Sequence, residues 1–310
     1  MQAAAVILEA PERMTLRQVE LTPKNSGDVV VQIHYSGVST GTEKLLWTGA
    51  MPPFPGMGYP LVPGYESVGR IIDAGADAEA RIGEWVFVPG ANCFDGARGL
   101  FGGSASQVII PSARALPVSE SLGADGVLHA LAATAYHALA GGDAPDLVIG
   151  HGVLGRLITR LAIARGAPAP VVWETRADRR KGGSGYKIID PKDDDRRDYA
   201  CIYDASGSAE LVDQLVMRLA KGGEIVLAGF YPDRIDFAFA PAFMKEARLR
   251  IAAEWQPEDL AAVSALVAAG DVGLGNLISH VRPATEATEA YPAAFNDADC
   301  LKMVLDWSAA

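Results

Sequence analysis

The chain has 310 residues, 49% of them hydrophobic, which is enough for two domains with cores of their own. A net charge of -11 argues against nucleic acid, whose phosphates call for clustered Lys and Arg, and no apolar run approaches the ~20 residues that a bilayer requires. The three cysteines, Cys93, Cys201 and Cys300, lie far apart in sequence, so neither a disulfide framework nor a four-thiolate zinc lobe is expected.

In chain order, Met1–Glu9 lacks the positive start of a signal peptide, and a cytoplasmic protein is expected. Residues 29–33, 67–72, 84–88 and 106–110 are short apolar or alternating runs broken by Gly and Pro, the pattern of a compact β-rich domain. From Leu122 the pattern changes, with Leu128, Leu131, Ala135 and Leu139 at helical spacing. Strand and helix patterns then alternate to about Trp255: strands at 146–149, 171–173, 200–204, 224–228 and 249–253, and a helix from Ser208 to Leu219 ended by Lys221-Gly222-Gly223. Residues 181–197, with their Gly and Asp runs, read as a solvated connection. The segment from Leu277 to Trp307 is expected to rejoin the first domain. The chain is therefore read as α/β, with a doubly wound parallel sheet at 122–275, a β-rich domain at 1–121 and a C-terminal return at 276–310.

The strand at 146–149 opens into Gly150-His151-Gly152-Val153-Leu154-Gly155, and Glu174 follows the last glycine by nineteen positions. In a dinucleotide grip the first glycine permits the tight turn, the second lets backbone amides approach a pyrophosphate, and the third lets the helix pack on its strand. The phosphate then lies at a helix N-terminus, where free N–H groups and the dipole favour an anion. Glu174 can accept hydrogen bonds from ribose hydroxyls and repels a 2′-phosphate, which favours NAD over NADP. Arg176, Arg179 and Arg180 keep NADP open, although they also fit the start of a solvated helix. The candidate cofactor residues are Gly150, Gly152, Val153, Leu154, Gly155, Glu174 and Arg176, with Ala205, Ser206, Gly229 and Phe230 at the ends of the next strands.

Between Trp47 and Pro63 the chain is apolar and too rich in Pro and Gly for a helix or strand. Trp47, Met51, Phe54, Met57 and Tyr59 would suit a large, planar, hydrophobic ligand; the alternative is a packed surface loop or a subunit contact. The histidines at 34, 129, 137 and 280 read as structural, and His151 is expected to face cofactor or solvent.

A β-rich first domain, a central dinucleotide-binding domain and a C-terminal return resemble the medium-chain dehydrogenase/reductase superfamily, with local matches at Gly64-Tyr65-Glu66, Gly83-Glu84-Trp85-Val86 and residues 302–307. The resemblance implies a GroES-like first domain and a nicotinamide cofactor. Alcohol dehydrogenases of that superfamily hold a catalytic zinc through a Cys in a Gly-x-Cys-Gly-x-Asp segment, the His of Gly-His-Glu and a third Cys, His or Glu. Here the first segment reads Gly37-Val38-Ser39-Thr40-Gly41-Thr42-Glu43, Tyr65 replaces the His, and Ala130 or nearby Ala and Thr residues stand at the third position. No metal is therefore expected. Without zinc to acidify an alcohol, a hydrogen-bond relay must hold and deprotonate it. The candidate catalytic residues are Thr40, foremost for touching the substrate oxygen, with Ser39, Tyr65, Glu66 and Lys44, and Glu43 lies among them. Residues that merely fill the vacated space remain the alternative.

The run from Ser36 through Trp47, Met51–Pro60 and Pro63–Gly69 resembles more specifically the hydroxyethyl bacteriochlorophyllide dehydrogenases of bacteriochlorophyll biosynthesis. That resemblance implies NAD-dependent oxidation of a tetrapyrrole's 1-hydroxyethyl group to acetyl. It also implies a homodimer or larger assembly built on the edge of the central sheet, and transient contact with membranes without insertion. A zinc-free NADPH-dependent quinone or enoyl reductase and a non-catalytic pigment carrier stay open as alternatives.

Overall fold

The computed structural model describes residues 1–231 and 233–308. Two compact units divide the chain, Met1–Ala130 with Leu274–Ala310, and Leu131–Gly273.

The first unit is built from two sheets. Its longest strand, Asp28–Val38, pairs along one side with Ser67–Ala74. Along the other side it pairs first with Gln107–Pro111 and then with Met303–Asp306. The C-terminal segment thus supplies a strand to the β-rich unit and seals it with Tyr291, Phe295 and Trp307, whose indole N–H donates to Ser36 Oγ at 2.8 Å. The second sheet starts from a hairpin, Gln2–Ala10 against Arg13–Glu20. The Ala-rich start of the chain thus buries Ala5, Val6, Ile7 and Leu8, a strand that the sequence reading did not identify. Residues 122–130 also belong to this unit rather than to the middle domain, because Gly126, Val127 and Leu128 are buried and His129 packs on Phe87. The short backbone of Gly126 allows this: a Cβ there would lie 2.9 Å from Val68 Cγ1.

The second unit carries a six-stranded parallel sheet. Its order is Lys187–Ile189, Val171–Trp173, Leu147–Ile149, Tyr199–Asp204, Leu219–Leu227 and Arg248–Ile251. Numbered along the chain this is 3-2-1-4-5-6, the doubly wound order, in which ligands bind beyond the strand ends where the order reverses. The helix Val153–Ala164 follows the first strand and buries Val153, Ile158 and Leu161 of the expected helical spacing, with Leu157 beside them, while Leu154 of that spacing is only half-buried. The helix Pro257–Ala269 begins at a capping box between Gln256 and Asp259, has Pro at its first turn and stops at Gly270 in the left-handed region.

The 181–197 segment is more than a solvated connection. Lys187–Ile189 forms the edge strand, and Asp194 is a buried hub that accepts from Trp173 Nε1 and the Tyr199 hydroxyl, both at 2.6 Å. Three residues are too few to show a period, and the flanking charges hide the strand.

Candidate functional site

In the second unit, Gly150 ends the first strand in the left-handed region at φ 90°. No atom lies within 4 Å of where a Cβ on Gly152 would sit, so the space before the helix is open. The helix Val153–Ala164 has Gly152 as its N-cap without a side-chain cap, leaving first-turn N–H groups available to an anion. A Cβ on Gly155 would lie 1.9 Å from the Gly150 carbonyl oxygen, so only glycine lets the helix start this close to the turn. Ala205 and Ser206 lie directly beside Gly150, and Gly229 crowds Gly207. The ends of the first, fourth and fifth strands thereby converge at the reversal point. This backbone cradle fits a dinucleotide pyrophosphate.

Glu174 lies at the end of the second strand. Its Oε2 accepts the His151 N–H at 3.2 Å and its Oε1 the Arg176 N–H at 2.8 Å, which ties the carboxylate to the glycine loop. The Arg176 guanidinium pairs with Asp178, and Arg180 is held by the Glu174 and Thr175 carbonyls and by Asp190. His151 does not face cofactor or solvent. It is buried, with Nδ1 on the Arg179 carbonyl at 2.7 Å and Nε2 on the Tyr186 hydroxyl at 2.8 Å. Burial holds its pKa below the usual imidazole range, so the neutral ring donates through Nδ1 and accepts through Nε2. Arg156, also buried, bonds the His151 and Lys181 carbonyls and locks the loop from the other side. The remaining histidines are structural: His34 stacks at a tilt on Trp85, His129 bonds the Gly126 carbonyl, His137 meets Asp259 at 2.8 Å, and His280 bonds Ser279.

In the first unit, Ser39 and Thr40 follow the long strand, which ends at Val38, and precede the helix Thr42–Thr48. Tyr65 comes from the turn before Ser67–Ala74, and its hydroxyl donates to Ser39 Oγ at 2.7 Å, with the Thr42 hydroxyl beside it. The Phe101 ring meets Tyr65 edge-on at 5.2 Å. Burial pushes the Tyr65 phenol far above its ordinary range, so it stays a proton donor. Thr40 is exposed beside this pair. Lys44 points elsewhere: its Nζ donates to the Phe295 carbonyl at 3.2 Å and ties the helix to the C-terminal segment.

Behind Ser39 lies a wholly buried cluster that the sequence could not assemble. Glu66 is ion-paired with Lys302, both essentially without exposure. The pair packs against Gly37, where a Cβ would come within 2.4 Å of Glu66 Oε2. Glu43 is buried as well and accepts the Ser39 N–H at 3.1 Å. The Tyr291 hydroxyl lies against Glu43 and shares a 3.0 Å bond with Ser104. Burial, followed by the nearby Glu66 charge, pushes the Glu43 carboxyl up to about 8. Lys302 lies 236 residues from Glu66, and no local spacing announces such a pair.

Ser39, Thr40 and Tyr65 offer hydroxyls, and Ala130 is a buried methyl. Among the described residues no three His, Cys, Asp or Glu side chains are grouped to hold a metal ion. That donor set does not fit zinc, which takes thiolate, imidazole or carboxylate.

The apolar segment after Trp47 forms a ledge with a packed underside. Met51 sits below it with Leu8, Leu46 and Leu61, and Trp47, Met57 and Tyr59 pack half-buried against that group. The Tyr59 hydroxyl bonds the Leu46 carbonyl. Phe54, at the tip with Pro52, Pro53 and Pro55, is the exposed aromatic ring.

Residues 25–120 match the alcohol dehydrogenase GroES-like domain. The whole chain is 58% identical to the 2-desacetyl-2-hydroxyethyl bacteriochlorophyllide A dehydrogenase of Cereibacter sphaeroides, the match spanning 100% of this chain and 99% of that protein. Among solved structures, an alcohol dehydrogenase from Escherichia coli complexed with NADH superposes with a TM-score of 0.84 at 19% identity over 99% of each chain. A dehydrogenase from Sinorhizobium meliloti bound to NADP does so with 0.83 at 21%, again over 99% of each.

Proposed function

Because the chain belongs to the family of the 2-desacetyl-2-hydroxyethyl bacteriochlorophyllide A dehydrogenases, we propose that it oxidises the 1-hydroxyethyl group of a bacteriochlorophyllide to acetyl, with NAD and without zinc. The observation that carries the zinc-free reading is the Tyr65–Ser39 hydroxyl pair, which stands where a metal-dependent enzyme needs thiolate and imidazole. Bound NAD supplies the hydride acceptor. The protein's task is to hold the alcohol oxygen and remove its proton. Ser39 and Thr40 hold that oxygen, and Tyr65 fixes Ser39 by donating into its Oγ. Glu66 is a positioning residue that, with Lys302, keeps the strand ends at Gly37 together. The apolar ledge around Phe54, backed by Trp47, Met51, Met57 and Tyr59, receives the flat macrocycle. Lys44 anchors the helix that follows Ser39 and Thr40.

Purified protein given NAD and the solubilised hydroxyethyl pigment is expected to shift the pigment's long-wavelength absorption and to form NADH in step. NADPH-dependent reduction of a quinone or enoyl substrate in its place would favour the reductase. Pigment binding without turnover would favour the carrier.

NAD is preferred because Glu174 presents a carboxylate where a 2′-phosphate would lie, while the Arg176 guanidinium is engaged by Asp178. Replacing Glu174 by Ser is expected to weaken NAD about ten- to hundredfold and to narrow its advantage over NADP, the loss of a charge-assisted bond being worth roughly 1.5–3 kcal/mol. Isothermal titration with each cofactor checks this; an unchanged NAD/NADP ratio removes Glu174 from specificity.

The chain's partner of its own kind is assigned to the sheet edge. Among the described residues Arg248–Ile251 pairs on one side alone, and beside it Ile251, Phe239, Phe243 and Met244 are among the most exposed large apolar side chains. An open edge with an apolar surround fits a second copy in isologous pairing. Phe243→Asp is expected to turn a dimer into a monomer in sedimentation, whereas a monomeric parent protein that pellets with lipid vesicles through Phe243 would assign the patch to membranes. No helix among the described residues is long and apolar enough to cross a membrane.

A further inference from the structure

Residues 179–186 lead from the turn after Glu174 to the edge strand Lys187–Ile189, and the run Lys181-Gly182-Gly183-Ser184-Gly185 within them has the composition of a loose connection. The structure folds them into a strap instead. Gly182 and Gly185 take φ of 79° and 83°, a region that side chains resist. A Cβ on Gly183 would come within 2.5 Å of Ile188 Cδ1 and 3.0 Å of the Tyr186 ring, so a larger residue there would lift the strap from its place. Both ends of the strap fasten on one residue, His151.

His151 stands between the first two glycines of the cofactor loop, and each of its polar groups is engaged. Its N–H donates to Glu174 Oε2 at 3.2 Å, and its carbonyl accepts from Arg156 Nε at 3.0 Å. Ring Nδ1 donates to the Arg179 carbonyl at 2.7 Å, while Nε2 accepts from the Tyr186 hydroxyl at 2.8 Å and the two rings meet edge-on at 5.6 Å. Arg156 also donates to the Lys181 carbonyl at 3.1 Å, which ties the middle of the strap to the helix that the loop opens.

A loop built on Gly150, Gly152 and Gly155 is loose by itself, and whatever freedom it loses on receiving an anion is subtracted from the affinity. Here the peptide between Gly150 and Gly152 cannot turn without breaking the contacts of His151. An apolar side chain at that position would serve packing alone; an imidazole bonded at both nitrogens also fixes the direction of the loop. From this arrangement, and resting on the NAD-binding reading above, we infer that the strap at residues 179–186 presets the glycine loop for the dinucleotide, with Tyr186 as the positioning residue that acts through His151. Tyr186 need not touch the cofactor to do so.

The test is Tyr186→Phe in the full-length protein, which keeps the ring and removes the hydroxyl. The Kd for NADH, read by fluorescence titration, is expected to rise about tenfold. In turnover with the hydroxyethyl pigment the KM for NAD should rise with it, while kcat at saturating NAD stays within about twofold of the parent, the mark of lost binding rather than lost chemistry. His151→Leu removes the partner and should weaken NADH to a similar extent. Adding Tyr186→Phe to His151→Leu should then cost nothing further, because the second residue acts only through the first. Urea unfolding of each variant records what the strap gives to the fold. A parent-like Kd in Tyr186→Phe, whatever its urea midpoint, would overturn the inference, as would a fall in kcat with KM kept, or a further tenfold loss in the double variant. A parent protein without affinity for NADH would overturn the cofactor reading itself, whereas parent affinity that ignores Tyr186 overturns the role of the strap alone.

Discussion

Gly152→Val is expected to weaken cofactor binding far more than it weakens the fold, which loses only an N-cap preference of about 1 kcal/mol. The reason is the open space around that glycine: a Cβ there would meet nothing of the protein within 4 Å, so the added side chain starts into the space that the loop offers to a ligand. Valine there would displace a pyrophosphate from the first-turn N–H groups of the helix Val153–Ala164 and weaken NAD by about 100-fold or more, roughly 2.8 kcal/mol at 1.4 kcal/mol per tenfold. Gly155→Ala makes the contrast. There the Cβ would lie 1.9 Å from a backbone oxygen that belongs to the same rigid turn, so both stability and binding should fall, the former by about 1–3 kcal/mol. Titration of NADH fluorescence beside urea unfolding separates the two. If Gly152→Val binds NADH normally, the cofactor does not lie on this loop.

The largest loss of stability is expected from Lys302→Met. The lysine is 2% exposed and its partner Glu66 is fully buried, so removing the cation strands a carboxylate in an apolar interior with a second one, Glu43, nearby. Breaking such a pair from one side costs about 3–5 kcal/mol, mostly the burial of the uncompensated charge. The double replacement Lys302→Met with Glu66→Leu removes that charge and is expected to recover most of the loss, since an apolar pair of similar volume is often neutral or better. Urea unfolding of the parent, the single and the double variants checks it. A single variant as stable as the parent would mean that the pair carries little, and a double variant as weak as the single would assign the effect to packing around Gly37.

What the sequence told in advance follows from distance along the chain. The glycine loop, its strand and helix, and the alternation that builds the second unit lie within local windows, and their periods are long enough to read. The hairpin at Gln2–Glu20 is hidden because the alanines at its start are poor strand signals. Lys187–Ile189 escaped because three residues amid charges have no period. His151 was expected to face cofactor or solvent; its ring instead turns inward because Tyr186 and the Arg179 carbonyl, both far along the chain, satisfy its two nitrogens.

The first-unit site shows the same limit more sharply. Ser39, Tyr65 and Glu66 could be named from short motifs, and the structure brings Ser39 and Tyr65 into direct contact. Lys44 could also be named, but its ammonium is spent on the Phe295 carbonyl. Glu43, Ser104, Tyr291 and Lys302 converge from four separate parts of the chain, and only the folded sheet, closed by the C-terminal strand Met303–Asp306, reveals that two acids and one lysine share a dry space.

The most direct measurement follows the hydrogen itself. Pigment carrying deuterium on the carbinol carbon, incubated with NAD and chelator-treated protein, is expected to yield acetyl pigment and deuterium-labelled reduced cofactor one for one, at the rate of untreated protein. Label appearing in water, or a rate lost on chelation and restored by added zinc, would contradict the zinc-free dehydrogenase.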